Sequence, residues 1–150
     1  MSRYSNYNGN FDKPKPPYHL TQLVFDNYVY KLFVYGNLKM GFPMHNYLNK
    51  QKFLGPAISR ASYLLYDFNG VPGLVEDYPL GIKISGELYE IDAECLRRID
   101  YAEGEGSLYK RDTISLDTPD IKWPEQVWTY YALTSVKGMT HCGPVWPPEK

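Results

Sequence analysis

From position 23 onward, short apolar runs alternate with polar or glycine breaks, at a spacing that predicts more strands than helices. "LVFDNYVYKLFVY" (23–35) is rich in β-branched and aromatic residues, and its second half reads as a buried strand ending at Gly36-Asn37. "GFPMHNYLNK" (41–50) reads as a short helix, with Pro43 in its first turn and Met44, Tyr47 and Leu48 on one face. "AISRASYLLYDF" (57–68) is a strand ending at the hairpin dipeptide Asn69-Gly70, and "VPGLVED" (71–77) returns through a Pro-Gly turn. "IKISGELYEI" (82–91) alternates as a strand, with Gly86 marking a bulge or a close approach.

The clearest helix is "DAECLRRIDYAEG" (92–104). Asp92 is a good N-cap, Ile91 and Leu96 stand at staple positions, Leu96 and Ile99 form the buried stripe, and Gly104 is the stop. "YKRDTISL" (109–116) and "QVWTYYAL" (126–133) are two further strands. Strands dominate and helices are few, so the pattern predicts an α+β fold with a mixed, curved or barrel-like sheet.

The two ends read differently. Residues 1–22 are dominated by Asn, Ser, Gly, Lys and Pro, and "KPKPPY" (13–18) favours extended polyproline geometry, so a flexible or loosely docked arm is expected. Residues 23–135 are the expected packed domain, and 136–150 an irregular Pro-rich tail. The length of 150 residues suits one domain that needs no disulfide or metal staple.

Composition narrows the function. The formal charge of −1 argues against nucleic-acid or membrane-surface binding. No apolar run approaches the roughly 20 residues of a bilayer span, and the polar start MSRYSNYNGN has no signal-peptide character. Cys95 and Cys142 fit neither a disulfide framework nor a metal pair, which points to a reducing, cytoplasmic setting and to inert thiols. The tyrosine count of 15 is high, and the tyrosines of the arm leave it open as a protein-binding segment. His19, His45 and His141 are far apart, and no metal site is expected. Phosphate-loop, nucleophile-elbow and zinc-protease motifs are absent.

Two stretches stand out chemically. The first is Tyr35-Gly36-Asn37-Leu38. A glycine at a strand end either takes a positive φ or admits a ligand to the backbone, and successive N–H groups there form an anion-binding concavity; equally, Gly36 fits a plain turn. The second is "IDYAEGEGSLYKR" (99–111), where Asp100 and Glu103 sit at the negative end of a helix dipole. A destabilised carboxylate there is a better base; the plain reading is a solvated acidic loop.

Together, Tyr35-Gly36-Asn37-Leu38, Ile99-Asp100-Tyr101-Ala102-Glu103-Gly104 and Tyr109-Lys110-Arg111 resemble the gamma-glutamyl cyclotransferase-like (AIG2-like) superfamily. That superfamily carries Tyr-Gly-Ser/Thr-Leu, Leu-Asp-x-x-Glu-Gly and Tyr-x-Arg in this order. "YGNLKMGFPMHNYL" is most similar to the gamma-glutamylamine cyclotransferases. The resemblance covers about residues 30–133 and implies a small mixed β-barrel with a few short helices. It implies that the backbone of Tyr35, Gly36, Asn37 and Leu38 binds the α-carboxylate of a γ-glutamyl group. Glu103 is implied as general acid/base, with Tyr109 and Arg111 in support, Arg111 keeping Glu103 ionised. The implied reaction turns a γ-glutamyl amine or amide into 5-oxoproline and a free amine, without metal or cofactor. Asn37 departs from the usual Ser or Thr, and Glu105 is a rival carboxylate. A non-catalytic member that binds a small ligand or a protein through the same fold is the alternative.

Overall fold

The apolar run that opens the packed region becomes a central strand. In the computed structural model, which describes residues 28–117 and 126–149, β1 spans Val29–Val34. The expected arm at 1–22 lies outside the described residues. Leu32, Phe33 and Val34 are all buried, because both faces of β1 are covered. The period-two alternation then sorts them. Leu32 and Val34 join one core cluster with Ile91, Leu96 and Ile99. Phe33 and Tyr35 join a second with Leu65, Leu74 and Ile84.

The remaining strands are β2 (Lys52–Ile58), β3 (Tyr63–Asp67), β4 (Pro72–Glu76), β5 (Ser85–Asp92), β6 (Tyr109–Thr113) and β7 (Val127–Ala132). They form one mixed sheet in the order β2-β5-β1-β7-β4-β3, with β6 paired to β7. β1 lies antiparallel to β5 and parallel to β7, and β7 is also parallel to β4. The fold is therefore α+β, as expected. The sheet curls, with isolated bridges at Ser59–Leu116 and Tyr63–Ile82, but among the described residues no continuous ladder closes it into a barrel.

The long helix, α1 (Ala93–Glu103), matches its sequence signals. Asp92 accepts a hydrogen bond from the Cys95 N–H at 2.7 Å, and Gly104 ends the helix in the left-handed region at φ 66°. The Gly104 N–H donates to Tyr101 O and the Glu105 N–H to Asp100 O, which is a Schellman ending. The expected helix at 41–50 shortens to a 3-10 turn, His45–Leu48, with Leu48 buried.

Three local expectations are corrected. The stretch 57–68 is not one strand. β2 begins earlier, and the chain turns at Ser59, whose hydroxyl is buried and accepts from the Ile84 N–H at 2.9 Å. Pro72-Gly73 is not a turn but the start of β4. Gly73 lies so close to Phe68 and Ala132 that a Cβ would stand 2.5 Å and 2.8 Å from their side chains. Gly86 is a close approach to the Val34 carbonyl rather than a bulge; the register shift falls on β2, between Phe53 and Gly55. The Asn69-Gly70 hairpin forms as expected, with both residues at positive φ. The described tail, 136–149, has no strand or helix, yet it packs: Trp146 is buried in the second cluster and Pro144 O accepts from the Ser85 N–H at 2.8 Å.

Candidate active site

The site forms where β1 runs out. Tyr35, the next residue, donates its hydroxyl to Tyr130 O at 2.7 Å and accepts from the Leu74 N–H at 3.2 Å. One phenol thus ties β7 to β4, and burial, then the charges of Tyr109 and Glu103, raises its pKa well above the ordinary value. The chain then turns. The carbonyls of Gly36, Asn37 and Leu38 are engaged, by Lys39 N–H at 3.0 Å, Met44 N–H at 2.9 Å and the His45 ring Nδ1 at 3.0 Å. The N–H groups of the same three residues enter none of the backbone hydrogen bonds of the described residues. Three successive N–H groups left over in a largely buried turn are donors in want of an acceptor.

Gly36 does not take a positive φ. It is glycine because a Cβ there would lie 2.4 Å from Pro72 Cγ. The hairpin strand β4 presses against the turn, and only a residue without a side chain fits.

Opposite the turn stands the end of α1. Glu103 follows Leu96 and Ile99 by seven and four residues, so it falls on the helix stripe that faces the core. It shares a cavity of about 200 Å³ with Tyr35, Gly36, Asn37, Leu38 and Tyr109. The two stretches singled out in the sequence, some 65 residues apart, therefore line one hollow. Burial first, and the negative charge of Asp100 second, push the Glu103 carboxyl up to about 7. Glu103 is half-buried at the cavity, which favours the reading of a destabilised carboxylate over that of a fully solvated acidic loop.

Tyr109 lines the same cavity and donates its hydroxyl to Pro72 O at 2.6 Å. Burial, then the Glu103 charge, raises its phenol to about 12. Arg111 is placed differently from expectation. Its guanidinium does not reach Glu103 but grips Asp100, Nε to Oδ1 at 2.8 Å and Nη2 to Oδ2 at 2.9 Å, and it does not line the cavity. The Asp100 carboxylate, one helical turn earlier, presents both oxygens to the guanidinium fork. The Tyr130 hydroxyl adds a third bond to Asp100 at 2.6 Å. The rival carboxylate, Glu105, accepts from the Arg111 N–H at 3.3 Å and is not part of the cavity lining.

Sequence reading missed several lining residues: Met44, Pro72, Ala102, Leu108, Thr129 and Tyr130. Only Ala102 and Leu108 carried a clue, their place beside Glu103. Among the described residues no cluster of His, Cys, Asp or Glu could hold a metal ion, and no helix is long and apolar enough to cross a membrane. Cys95 is buried, hydrogen-bonded to Tyr47 O and pushed up to about 12, so its thiol is a poor nucleophile.

Comparison with known proteins bears on this geometry. The family model described as gamma-glutamyl cyclotransferase, AIG2-like, matches residues 32–144. A Methanocaldococcus jannaschii protein named provisionally as a gamma-glutamylcyclotransferase is 38% identical over 101 residues, 67% of this chain and 82% of that protein. The gamma-glutamylaminecyclotransferase of Bos taurus is 28% identical over 110 residues, 69% of this chain and 66% of its own length. The crystal structure of an AIG2-like protein from Mus musculus shares the fold, with a TM-score of 0.66 over 77% of this chain and 86% of that one, at 24% identity. The matched span runs from β1 into the tail and holds the turn, the helix end and Tyr109: the chain belongs to the gamma-glutamyl cyclotransferase, AIG2-like, family.

Proposed function

We propose that the protein converts a γ-glutamyl amine, or a related γ-glutamyl amide, to 5-oxoproline and the free amine. The observation that carries this reading is the shared cavity: unengaged N–H donors at Gly36, Asn37 and Leu38 on one side, a raised carboxyl at Glu103 on the other.

The chemistry closes without outside reactants. The substrate's α-carboxylate accepts from the turn N–H groups, which fixes the glutamyl chain bent. Holding nucleophile and electrophile of one molecule in this way is worth up to roughly 7–11 kcal/mol. Glu103 as carboxylate takes a proton from the α-ammonium. The freed α-nitrogen attacks the γ-carbonyl carbon and forms the five-membered lactam. The bond from that carbon to the leaving nitrogen breaks as Glu103 returns its proton there, and the second proton shed by the ring nitrogen passes through the same carboxylate to the departing amine, which leaves as an ammonium ion. No water is consumed and no covalent enzyme intermediate forms. A carboxyl near pH 7 serves both proton transfers, because neither its acid nor its base form is scarce. Asn37 supplies its backbone N–H here, and the hydroxyl that Ser or Thr would bring is not required.

The test is turnover of a panel of γ-glutamyl amines and dipeptides, read as 5-oxoproline. Glu103→Gln is expected to lower kcat/KM about 10²–10⁴-fold, the usual weight of general acid/base catalysis, without lowering the melting temperature. Full activity in that variant would refute the role of Glu103.

A further inference from the structure

The turn that offers its N–H groups to the cavity is held from behind. A trans peptide unit is planar, and its C=O and N–H point opposite ways. Whatever grips a carbonyl therefore also aims the N–H of the next residue. Two of the gripping groups come from adjacent residues, Met44 and His45. The Met44 N–H donates to Asn37 O at 2.9 Å, which sets the direction of the Leu38 N–H. The His45 ring Nδ1 lies 3.0 Å from Leu38 O. A carbonyl oxygen has no proton to give, so Nδ1 is the donor. That bond fixes the plane of the Lys39 N–H, which donates to Gly36 O at 3.0 Å. The Gly36 carbonyl in turn shares its plane with the Asn37 N–H. The imidazole thus acts on the Asn37 donor through two hydrogen bonds and the two rigid peptide planes between them.

The imidazole is itself seated. His45 opens the 3-10 turn whose Leu48 is buried, and its half-buried ring lies 5.9 Å from that of Tyr89. Tyr89 is buried and donates its hydroxyl to Glu87 Oε1 at 3.0 Å. The same oxygen accepts from the Met40 N–H at 2.9 Å, so β5 braces the stretch 36–45 at two points. His45 does not line the cavity, and its route to the reacting atoms is the turn. We propose that His45 is a positioning residue of the reaction: its imidazole holds the Leu38 carbonyl and so aims the N–H groups of the turn at the substrate carboxylate. This rests on the cyclotransferase reading above and deepens it.

The experiment compares the wild type with His45→Leu, His45→Asn and His45→Gln. Turnover is read with γ-glutamyl methylamide and γ-glutamyl benzylamide, and binding of 5-oxoproline by calorimetry. The Asn amide is attached at Cγ, as Nδ1 is, and keeps the donor. The Gln amide stands one bond further out, and Leu has no donor. His45→Leu and His45→Gln are expected to raise KM, and the Kd of 5-oxoproline, roughly two- to tenfold, the weight of one hydrogen bond. His45→Asn is expected within about twofold of the wild type, because the hydrogen bond is kept. In all three, kcat should change less than about twofold, since the carboxylate is gripped alike in ground and transition states. The acid limb near pH 7 should not move. Equal constants in all four proteins, a His45→Asn variant no better than His45→Leu, or a limb shifted by His45→Leu overturns the inference and leaves the cyclotransferase reading standing. If neither amide is turned over but 5-oxoproline binds with the same ordering, the cyclotransferase reading falls and the role of His45 stands. With neither turnover nor that ordering, both fall.

Discussion

Asp100 and Glu103 are three residues apart on the last turn of one helix, and the fold treats them in opposite ways. Asp100 is buried and saturated: two bonds from Arg111, one from Tyr130, all between 2.6 and 2.9 Å. Glu103 has a cavity before it instead of a cation, and its carboxyl is pushed up to about 7. The difference follows from where Arg111 went. Had Arg111 reached Glu103, as the sequence reading expected, it would have held that carboxyl down and left a poor proton carrier at neutral pH. By compensating Asp100, it leaves Glu103 in an apolar setting beside a residual like charge. Environment, not residue type, sets how each of two neighbouring carboxyls titrates.

The largest expected effect comes from breaking the compensated pair. Arg111→Met leaves the Asp100 carboxylate buried without its cation, a loss of about 3–5 kcal/mol of stability. The Asp100→Asn change strands Arg111 in the same way. Because the two groups act as a unit, the double variant Asp100→Leu/Arg111→Met should lose far less than the sum, as a double-mutant cycle on urea-unfolding midpoints would read. Additive losses would mean that the pair is not coupled, and the division between the two acids would lose its cause.

The next effect falls on Glu103 and has the opposite sign. Its folded pKa of about 7 lies above the ordinary 4.5. The native state therefore binds the proton more tightly than the unfolded chain does. Stability from this group is fully present below about pH 4.5 and is lost as pH rises toward 7. Glu103→Gln removes that loss. It should leave stability unchanged at pH 4 and raise it at pH 8, by about 1–3 kcal/mol. Thermal melts of both proteins from pH 4 to 8 check this. The wild-type kcat/KM should fall away below about pH 7, as the base form is lost. A variant that is more stable and less active at pH 8 is the pattern of a strained functional group. Equal melting curves at both pH values would show that Glu103 is hydrated after all.

How much of this was readable in advance depends on locality. Helix α1 was legible to the residue, because Asp92 and Gly104 act on their own backbone neighbours. The Asn69-Gly70 hairpin was legible for the same reason. β2 was not. It is an edge strand whose first three residues are exposed, so it carries no period-two apolar pattern. Trp146 read as part of an irregular tail, and only the tertiary fold seats it in the core. In the site, the Glu103 position was readable from the stripe of Leu96 and Ile99. The partner of Arg111 was not: strand position 111 faces the helix, but nothing local tells Asp100 from Glu103. Of the reasons the sequence offered for Gly36, a positive φ does not hold, and the contact that excludes a side chain there was not foreseen. Its neighbour, Pro72, is 36 residues away in sequence, and no dipeptide rule reports that contact.

The smallest effect separates Tyr109 from the acid it faces. Its hydroxyl is committed to Pro72 O at 2.6 Å, and Pro72 is the residue that presses on Gly36. Tyr109 therefore acts on the turn through Pro72; its pKa is raised by burial first and by the neighbouring charge of Glu103 second. Tyr109→Phe removes one hydrogen bond and keeps the ring, a loss of about 1 kcal/mol, or about 2–4 °C in Tm for a chain of this length. With the turn loosened and Glu103 untouched, KM for a γ-glutamyl amide should rise a few-fold, while kcat and the acid limb near pH 7 stay where they are. Steady-state kinetics across pH 5–9 make the separation. A shift of that limb in Tyr109→Phe would mean that the phenol speaks to Glu103 directly, and that Glu103, like Asp100, has a hydroxyl partner of its own.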